Sequence, residues 1–254
     1  MLFDTHAHYT DEAFAADRDT VLSAVYDSGV GLVMNSSCDE VSSRAALALA
    51  EKYPFVYASV GWHPEDAASF SENSLALLRE WARHPKVRAI GEIGLDYHYE
   101  DAAPRALQKS VLERQMQLAQ ELKLPVVIHD RDAHADCIEL VRRYPDVRGA
   151  FHCYSGSVEM ARELLDRGWY LGFTGVITFK NAKKALAVLK MCPSDRILIE
   201  TDCPYMAPEP HRGERNDSRF LPFMAAKVAE IKGISPEEAA NLTNENGKRF
   251  FGIA

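Results

Sequence analysis

Three features of the sequence predict an α/β fold, specifically a TIM-type (β/α)8 barrel. Eight short apolar runs recur at intervals of about 20 to 40 residues, a helix-like pattern follows each, and the whole chain is 254 residues long. Strands that alternate with helices pair in parallel, and single barrels have this length. The runs "PVVIH" and "RILIE" are nearly continuous apolar stretches, as in strands covered on both faces. A doubly wound open sheet is the alternative.

The first run, Met1–Thr5, leads into "DTHAH"; the second, Gly31–Asn35, precedes a helical stretch Asp39–Lys52 with Asp39 as its N-cap. Phe55–Val60 is the third run and Val87–Gly91 the fourth, the latter continuing into "EIGLDY". The next helix, Arg105–Lys123, carries Leu107, Val111, Leu118 and Leu122 on one face. Pro125–His129, Gly149–Cys153, Tyr170–Phe173 and Arg196–Glu200 complete the set of eight. Near the end, Ser235-Pro236-Glu237-Glu238 reads as a capping box with proline at the first helical position. Without a linker, low-complexity tract or internal repeat, residues 1–254 are expected to form one domain.

Composition excludes several classes. No apolar run approaches the roughly 18 residues needed to span a bilayer, and the start lacks a basic region followed by an apolar core. A cytoplasmic protein without a membrane partner is expected. The five cysteines are scattered and form no C-x-x-C, so neither a disulfide framework nor a thiolate zinc site is indicated. Most read as small core fillers. With 29 Lys and Arg against 37 Asp and Glu, the net charge is −8. Such a surface does not suit general nucleic-acid binding, which draws on many phosphate contacts. An anionic substrate must be attracted locally.

The residues that end the runs point to chemistry. His6 and His8 are two apart, and residues i and i+2 of an extended strand share a face. Glu92 ends the fourth run, His129 the fifth and His152 the sixth, while Glu200 and Asp202 end the eighth. The C-terminal strand ends of a barrel converge on one mouth. The four imidazoles with the carboxylates of Glu92 and Asp202 are too many for one ion, which takes three or four protein ligands. They suit two ions bridged by a carboxylate, and gathering so many ionisable groups without a cation is costly. Glu92 is the expected bridge. One ion is assigned to His6, His8, Glu92 and Asp202, the other to Glu92, His129 and His152.

With those residues in place, the sequence resembles the TatD family of metal-dependent deoxyribonucleases, within the amidohydrolase-like barrels. The likeness runs through "DTHAH", "VGWHPED", "AIGEIGLDY", "LPVVIHDRDA", "FHCYSGS", "GFTGVITFKNA", "ILIETDCPYMAP", "PHRGERN" and "ENGKRFFGI". Two small departures are Cys203, where serine is expected, and "RND", which lacks a proline after the asparagine. Neither touches a proposed ligand. The resemblance implies a barrel, divalent-metal dependence and hydrolysis of DNA phosphodiesters, and it supports ligand roles for His6, His8, Glu92, His129, His152 and Asp202. Imidazole-rich sites favour zinc, manganese or iron by ligand type, whereas the resemblance implies magnesium or manganese in activity, with zinc compatible with purified material.

The reaction expected is a 3′–5′ exonuclease cleavage of DNA by a metal-activated water, at single strands or 3′ ends, which a barrel mouth admits more easily than a duplex interior. Asp202 is the expected general base, with Glu92 as the second catalytic carboxylate. Phosphate contacts are expected from His63, Arg131, His211 and Arg212 in loops at the same mouth. Asp96 is a candidate for orienting either a ligand or a loop, and Trp62, beside His63, for base stacking; Trp81 and Trp169 read as core. The alternative on the same site is a hydrolase of a small ester, an amide or an aminoacyl-tRNA ester. A non-catalytic metal-binding protein is the third reading, and the complete donor set argues against it. The sequence leaves the oligomeric state open, a monomer being compatible.

Overall fold

Alternating apolar stretches and helices build the architecture. The computed structural model describes residues 1–254. Strands β1 (Leu2–Ala7), β2 (Val30–Asn35), β3 (Val56–Val60), β4 (Val87–Asp96), β5 (Val126–Arg131), β6 (Gly149–Phe151), β7 (Tyr170–Phe173) and β8 (Ile197–Ile199) lie side by side in chain order. Every neighbouring pair is parallel. Helices α1 (Arg18–Asp27), α2 (Glu40–Lys52), α3 (Glu72–Trp81), α4 (Arg105–Leu122), α5 (His134–Arg143), α6 (Val158–Asp166), α7 (Lys183–Met191), α8 (Leu221–Lys232) and α9 (Pro236–Phe251) intervene or follow.

The sheet curls until β8 meets β1, and the seam is sewn at its C-terminal end. Asp202 N donates to His6 O (2.9 Å) and His8 N to Cys203 O (2.8 Å). Asp4 accepts from Thr201 N (3.0 Å), Thr201 Oγ1 (2.6 Å) and Ser218 Oγ (2.6 Å). A doubly wound sheet would reverse its strand order partway; this one never does.

Two apolar layers support the mouth. A large one packs between the strands and the outer helices. A smaller one fills the barrel interior, where Phe3, Met34, Val127, Tyr170 and Leu198 meet Phe250 and Phe251 of α9. The terminal "KRFF" therefore plugs the end opposite the site. Asn246 pins α9 there, donating from Nδ2 to Ile197 O (2.9 Å) and Ser194 O (2.8 Å). No helix is long and apolar enough to cross a membrane.

Asp39 caps α2, accepting from Ser42 N at 2.8 Å, and Ser235 with Glu238 forms the capping box of α9. Two readings need correction. In α4, Leu107 is exposed and Leu122 only half-buried, whereas Val111 and Leu118 face inward as expected, joined by Gln108, Leu112, Gln115 and Met116. The two glutamines satisfy backbone groups that the strand ladders leave free. Gln108 clamps Asp96 N and O (2.9 Å each), and Gln115 clamps Trp62 N (2.8 Å) and O (3.0 Å). Trp62 itself is 2% exposed, lies parallel to Trp81, and donates from Nε1 to Ser69 Oγ (3.0 Å). It is core and offers no face to a base. All five cysteines are free; Cys137, Cys192 and Cys203 are buried, whereas Cys38 and Cys153 are half-buried.

Candidate metal centre

β4 runs five residues beyond its expected end at Gly91, which carries Glu92 inside the sheet, where it is 3% exposed. Its two oxygens face different partners. Oε2 lies 3.1 Å from His6 Nε2 and 3.5 Å from His8 Nε2. Oε1 lies 2.6 Å from His152 Nε2, 2.9 Å from His129 Nδ1 and 3.7 Å from His63 Nε2. Asp202 Oδ1 completes the first group, 3.3 Å from His8 Nε2 and 3.7 Å from His6 Nε2. His6 and His8 converge, with Nε2 atoms 3.1 Å apart, although a register shift between Asp4 and Ala7 interrupts the regular strand. The seam bonds to Asp202 and Cys203 hold them in place of strict alternation.

These spacings suit a cation. Donors on a tetrahedral ion with bonds of about 2.0–2.1 Å sit about 3.3 Å apart. The first group, at 3.1–3.7 Å, lies close to that spacing, while Glu92 Oε1 sits nearer to His152 and His129, at 2.6 and 2.9 Å; the triads His6–His8–Glu92, His63–Glu92–His129 and His6–His152–Asp202 each bring three donor atoms within 4.8 Å of one another. The far ring nitrogens fit as well. His129 Nε2 is 3.0 Å from Asp96 Oδ2, and His8 Nδ1 is 3.2 Å from Ser36 O. Carboxylate and carbonyl oxygens only accept, so each holds the imidazole proton on that far side and turns the other nitrogen's lone pair inward. Ser36 Oγ meets His6 Nδ1 at 3.1 Å.

The electrostatics follow from packing charge into a buried space. Burial opposes ionisation of Glu92, but His152, His6 and His129 together hold its carboxyl well below the usual carboxylate range. Asp202 is likewise lowered against burial, chiefly by His8. Burial also opposes the charging of His129, yet Asp96 and Glu92 lift it to about 10. His8 is raised against burial by Asp202. Burial and His152 push His6 down to about 4, and burial and His129 push His63 down to about 3. Without a cation, the cluster resolves its negative charge by protonating some imidazoles.

His6, His8, Glu92, His129, His152 and Asp202 thus come together, and His63, 8% exposed, joins the second group. The remaining candidates make no hydrogen bond to that group, and Arg131 is the last residue of β5, not a loop residue as expected. Arg131 donates from a terminal guanidinium nitrogen to Tyr99 OH (3.0 Å). His211 Nδ1 is 3.1 Å from Glu214 Oε2, and its ring stacks on Phe220 at 4.4 Å. Arg212 lies 4.5 Å over the Phe179 ring. Asp96, for which the sequence left open a ligand- or a loop-orienting role, contacts His129 Nε2. Glu200, 2% exposed, accepts from Cys153 N (2.5 Å) and lies 3.9 Å from His152 Nδ1, an atom with no hydrogen-bond partner. Burial pushes the Glu200 carboxyl up to about 8. Sequence reading missed Ser36 and Asp4. Ser36 belongs to the polar run "NSS" that ends β2, and the same attention to strand ends would have found it; Asp4 lies inside β1 and gave no signal.

A parallel barrel with histidines and carboxylates gathered at the C-terminal ends of its strands defines a metal-dependent hydrolase. Residues 3–252 match the family described as TatD related DNase. Over 255 residues, all of both chains, the sequence is 44% identical to the uncharacterized metal-dependent hydrolase YabD of Bacillus subtilis. It is 36% identical to the 3′-5′ ssDNA/RNA exonuclease TatD of Cronobacter sakazakii, over 98% of this chain and 97% of that one. The crystal structure of YJJV, a TatD homologue from Escherichia coli K12, superposes with a TM-score of 0.93 at 30% identity, covering 100% of this chain and 98% of that one. The chain belongs to the TatD family of metal-dependent hydrolases.

Proposed function

We propose that this protein is a divalent-metal-dependent deoxyribonuclease, a 3′–5′ exonuclease acting on single strands or 3′ ends, with residues 1–254 as one catalytic unit. The observation that carries the reading is the division of Glu92: one oxygen serves His6 and His8, the other His129 and His152. That division supports two ions, the first held by His6, His8, Glu92 and Asp202, the second by Glu92, His129 and His152. Magnesium or manganese is the proposed ion in activity, with zinc compatible with the imidazole content. The exonuclease names of relatives at 33–36% identity support the substrate class.

When bound, divalent ions supply Lewis-acid charge to a phosphoryl group and acidify water. The chain's own groups do the rest. Asp202, kept ionised, takes the proton of the attacking water on a carboxylate oxygen. Glu92 holds the two donor sets in register. His63, neutral and at the outer edge of the second set, contacts the phosphate, and Arg131, His211 and Arg212 supply cationic and imidazole contacts along the mouth. Local cations thereby attract a polyanion to a chain of net charge −8.

The test is hydrolysis of 5′- and 3′-labelled single-stranded DNA by chelator-stripped protein, with magnesium, manganese or zinc restored separately. Metal-dependent cleavage from the 3′ end, lost in Asp202→Ala, is expected. Bound ions without cleavage of any strand would overturn the nuclease reading in favour of an ester or amide substrate.

A further inference from the structure

On the far side of His129 from Glu92, the chain opens a cavity of about 270 Å³. Asp96 joins cavity and site: its Oδ2 lies 3.0 Å from His129 Nε2, and it lines the cavity wall. One imidazole and one carboxylate therefore separate the cavity from the donor cluster. Tyr97, Tyr99 and Arg105 form other parts of the lining.

The lining sets two aromatic rings, Tyr97 and Tyr99, beside one guanidinium, Arg105, and two carboxylates, Asp96 and Glu100. The Arg105 guanidinium lies 4.3 Å from the Tyr97 ring centre, and the Arg131 guanidinium 4.9 Å from that of Tyr99. Tyr99 remains 45% exposed in the loop between β4 and α4. A tyrosine–arginine pair in the lining, with Arg131 on Tyr99 beside it, offers the kind of surface on which proteins hold unpaired bases, aromatic faces and arginine planes. The volume is below that of a site for a drug-sized ligand, which suits one nucleoside. Gln108, the amide in the lining, spends its groups within the protein, accepting from Asp96 N (2.9 Å) and donating to Asp96 O (2.9 Å) and Ala103 O (2.8 Å). Both of its N–H donors are taken, so it has no donor left to offer a base edge.

We propose that this cavity takes the base of a nucleotide adjoining the scissile phosphate, stacked on Tyr99, with Arg131 bridging the Tyr99 ring and the phosphate chain. The proposal rests on the nuclease reading and deepens it. The enzyme requires a base next to the cleaved bond but discriminates weakly among bases, because recognition is by face and not by edge.

The experiment compares kcat/KM for a single-stranded oligonucleotide and for the same strand with an abasic residue at the last or the penultimate nucleotide, with manganese present. Wild-type protein is expected to favour the intact strand about tenfold at one of those positions, within the range that base–aromatic stacking supplies. Tyr99→Ala should bring the ratio to about twofold or less, and Tyr99→Phe should keep it. In an Asp202→Ala background, 2-aminopurine at that position should lose fluorescence on binding, and Tyr99→Ala should restore it. If wild-type protein cleaves intact and abasic strands equally, or Tyr99→Ala slows both with the ratio unchanged, this proposal falls and the nuclease reading stands. If it cleaves neither strand with any metal, both fall.

Discussion

Replacing Glu92 with glutamine tests the centre at its most connected point. Glutamine keeps the shape but removes the charge and one of the two accepting oxygens. The carboxylate is 3% exposed and lies within 2.6–3.1 Å of nitrogens on His152, His129 and His6. In metal-free protein the imidazoles can respond by losing protons, so the cost is that of unsatisfied buried polar groups, about 1–3 kcal/mol. At roughly 2–4 °C per kcal/mol for a chain of this size, melting should fall by about 2–12 °C. The larger effect concerns metal. An ion at 100 times its Kd stabilises the fold by about 2.7 kcal/mol, or roughly 5–10 °C per site. Changing a group that merely supports a ligand weakens metal affinity about 10–100-fold, and Glu92 serves both donor sets, so each should weaken by at least the upper figure. Metal content after dialysis, melting with and without manganese, and strand cleavage give three readouts. Glu92→Gln should retain fewer ions, show little melting shift with manganese and lose nearly all cleavage. Two ions bound at wild-type affinity, with cleavage within tenfold of wild type, would refute the bridging role.

Three further outcomes are expected. Asp96→Asn removes the carboxylate behind His129, so metal affinity should drop about 10–100-fold and the His129 imidazole, followed by NMR, should titrate lower than in wild-type protein. Gly172 faces Glu200, and a Cβ there would meet both carboxylate oxygens at 2.5 Å; Gly172→Ala should cost about 1–3 kcal/mol by overpacking, read as a lower melting temperature. Because His8 is raised well above its ordinary value and His129 to about 10 in metal-free protein, they hold protons near neutrality that a cation must displace. Metal affinity should therefore rise with pH, about tenfold per unit for each proton released, and calorimetry in two buffers of different ionisation enthalpy should detect those protons; binding without proton release would contradict the donor assignment.

Much of the site was legible because a barrel sends each strand end to the same mouth. Once the runs ending in His6, Glu92, His129, His152 and Asp202 were recognised, topology alone implied their meeting. The outer loops were less legible. His63 occurs in "WHP" just as His211 occurs in "PHR", yet the first turns into the donor cluster and the second stacks on Phe220. Nothing local separates them; the path of each loop over its neighbours does. Trp62 misled for the same reason, since proximity to His63 in sequence does not reveal that its ring packs against Trp81.

By itself the sequence determined the alternation of strands and helices, the caps at Asp39 and Ser235, and the donor chemistry at the strand ends. Those are properties of side chains within a few residues of one another, where periodicity and hydrogen-bonding capacity act directly. Only the tertiary structure decided which oxygen of Glu92 faces which imidazole, that Asp96 and Ser36 hold the far ring nitrogens, and that glutamines occupy the inner face of α4. It also decided that Phe250 and Phe251 close the opposite end of the barrel. These depend on how distant segments approach across the seam and the barrel interior, and close packing, not local propensity, sets those approaches.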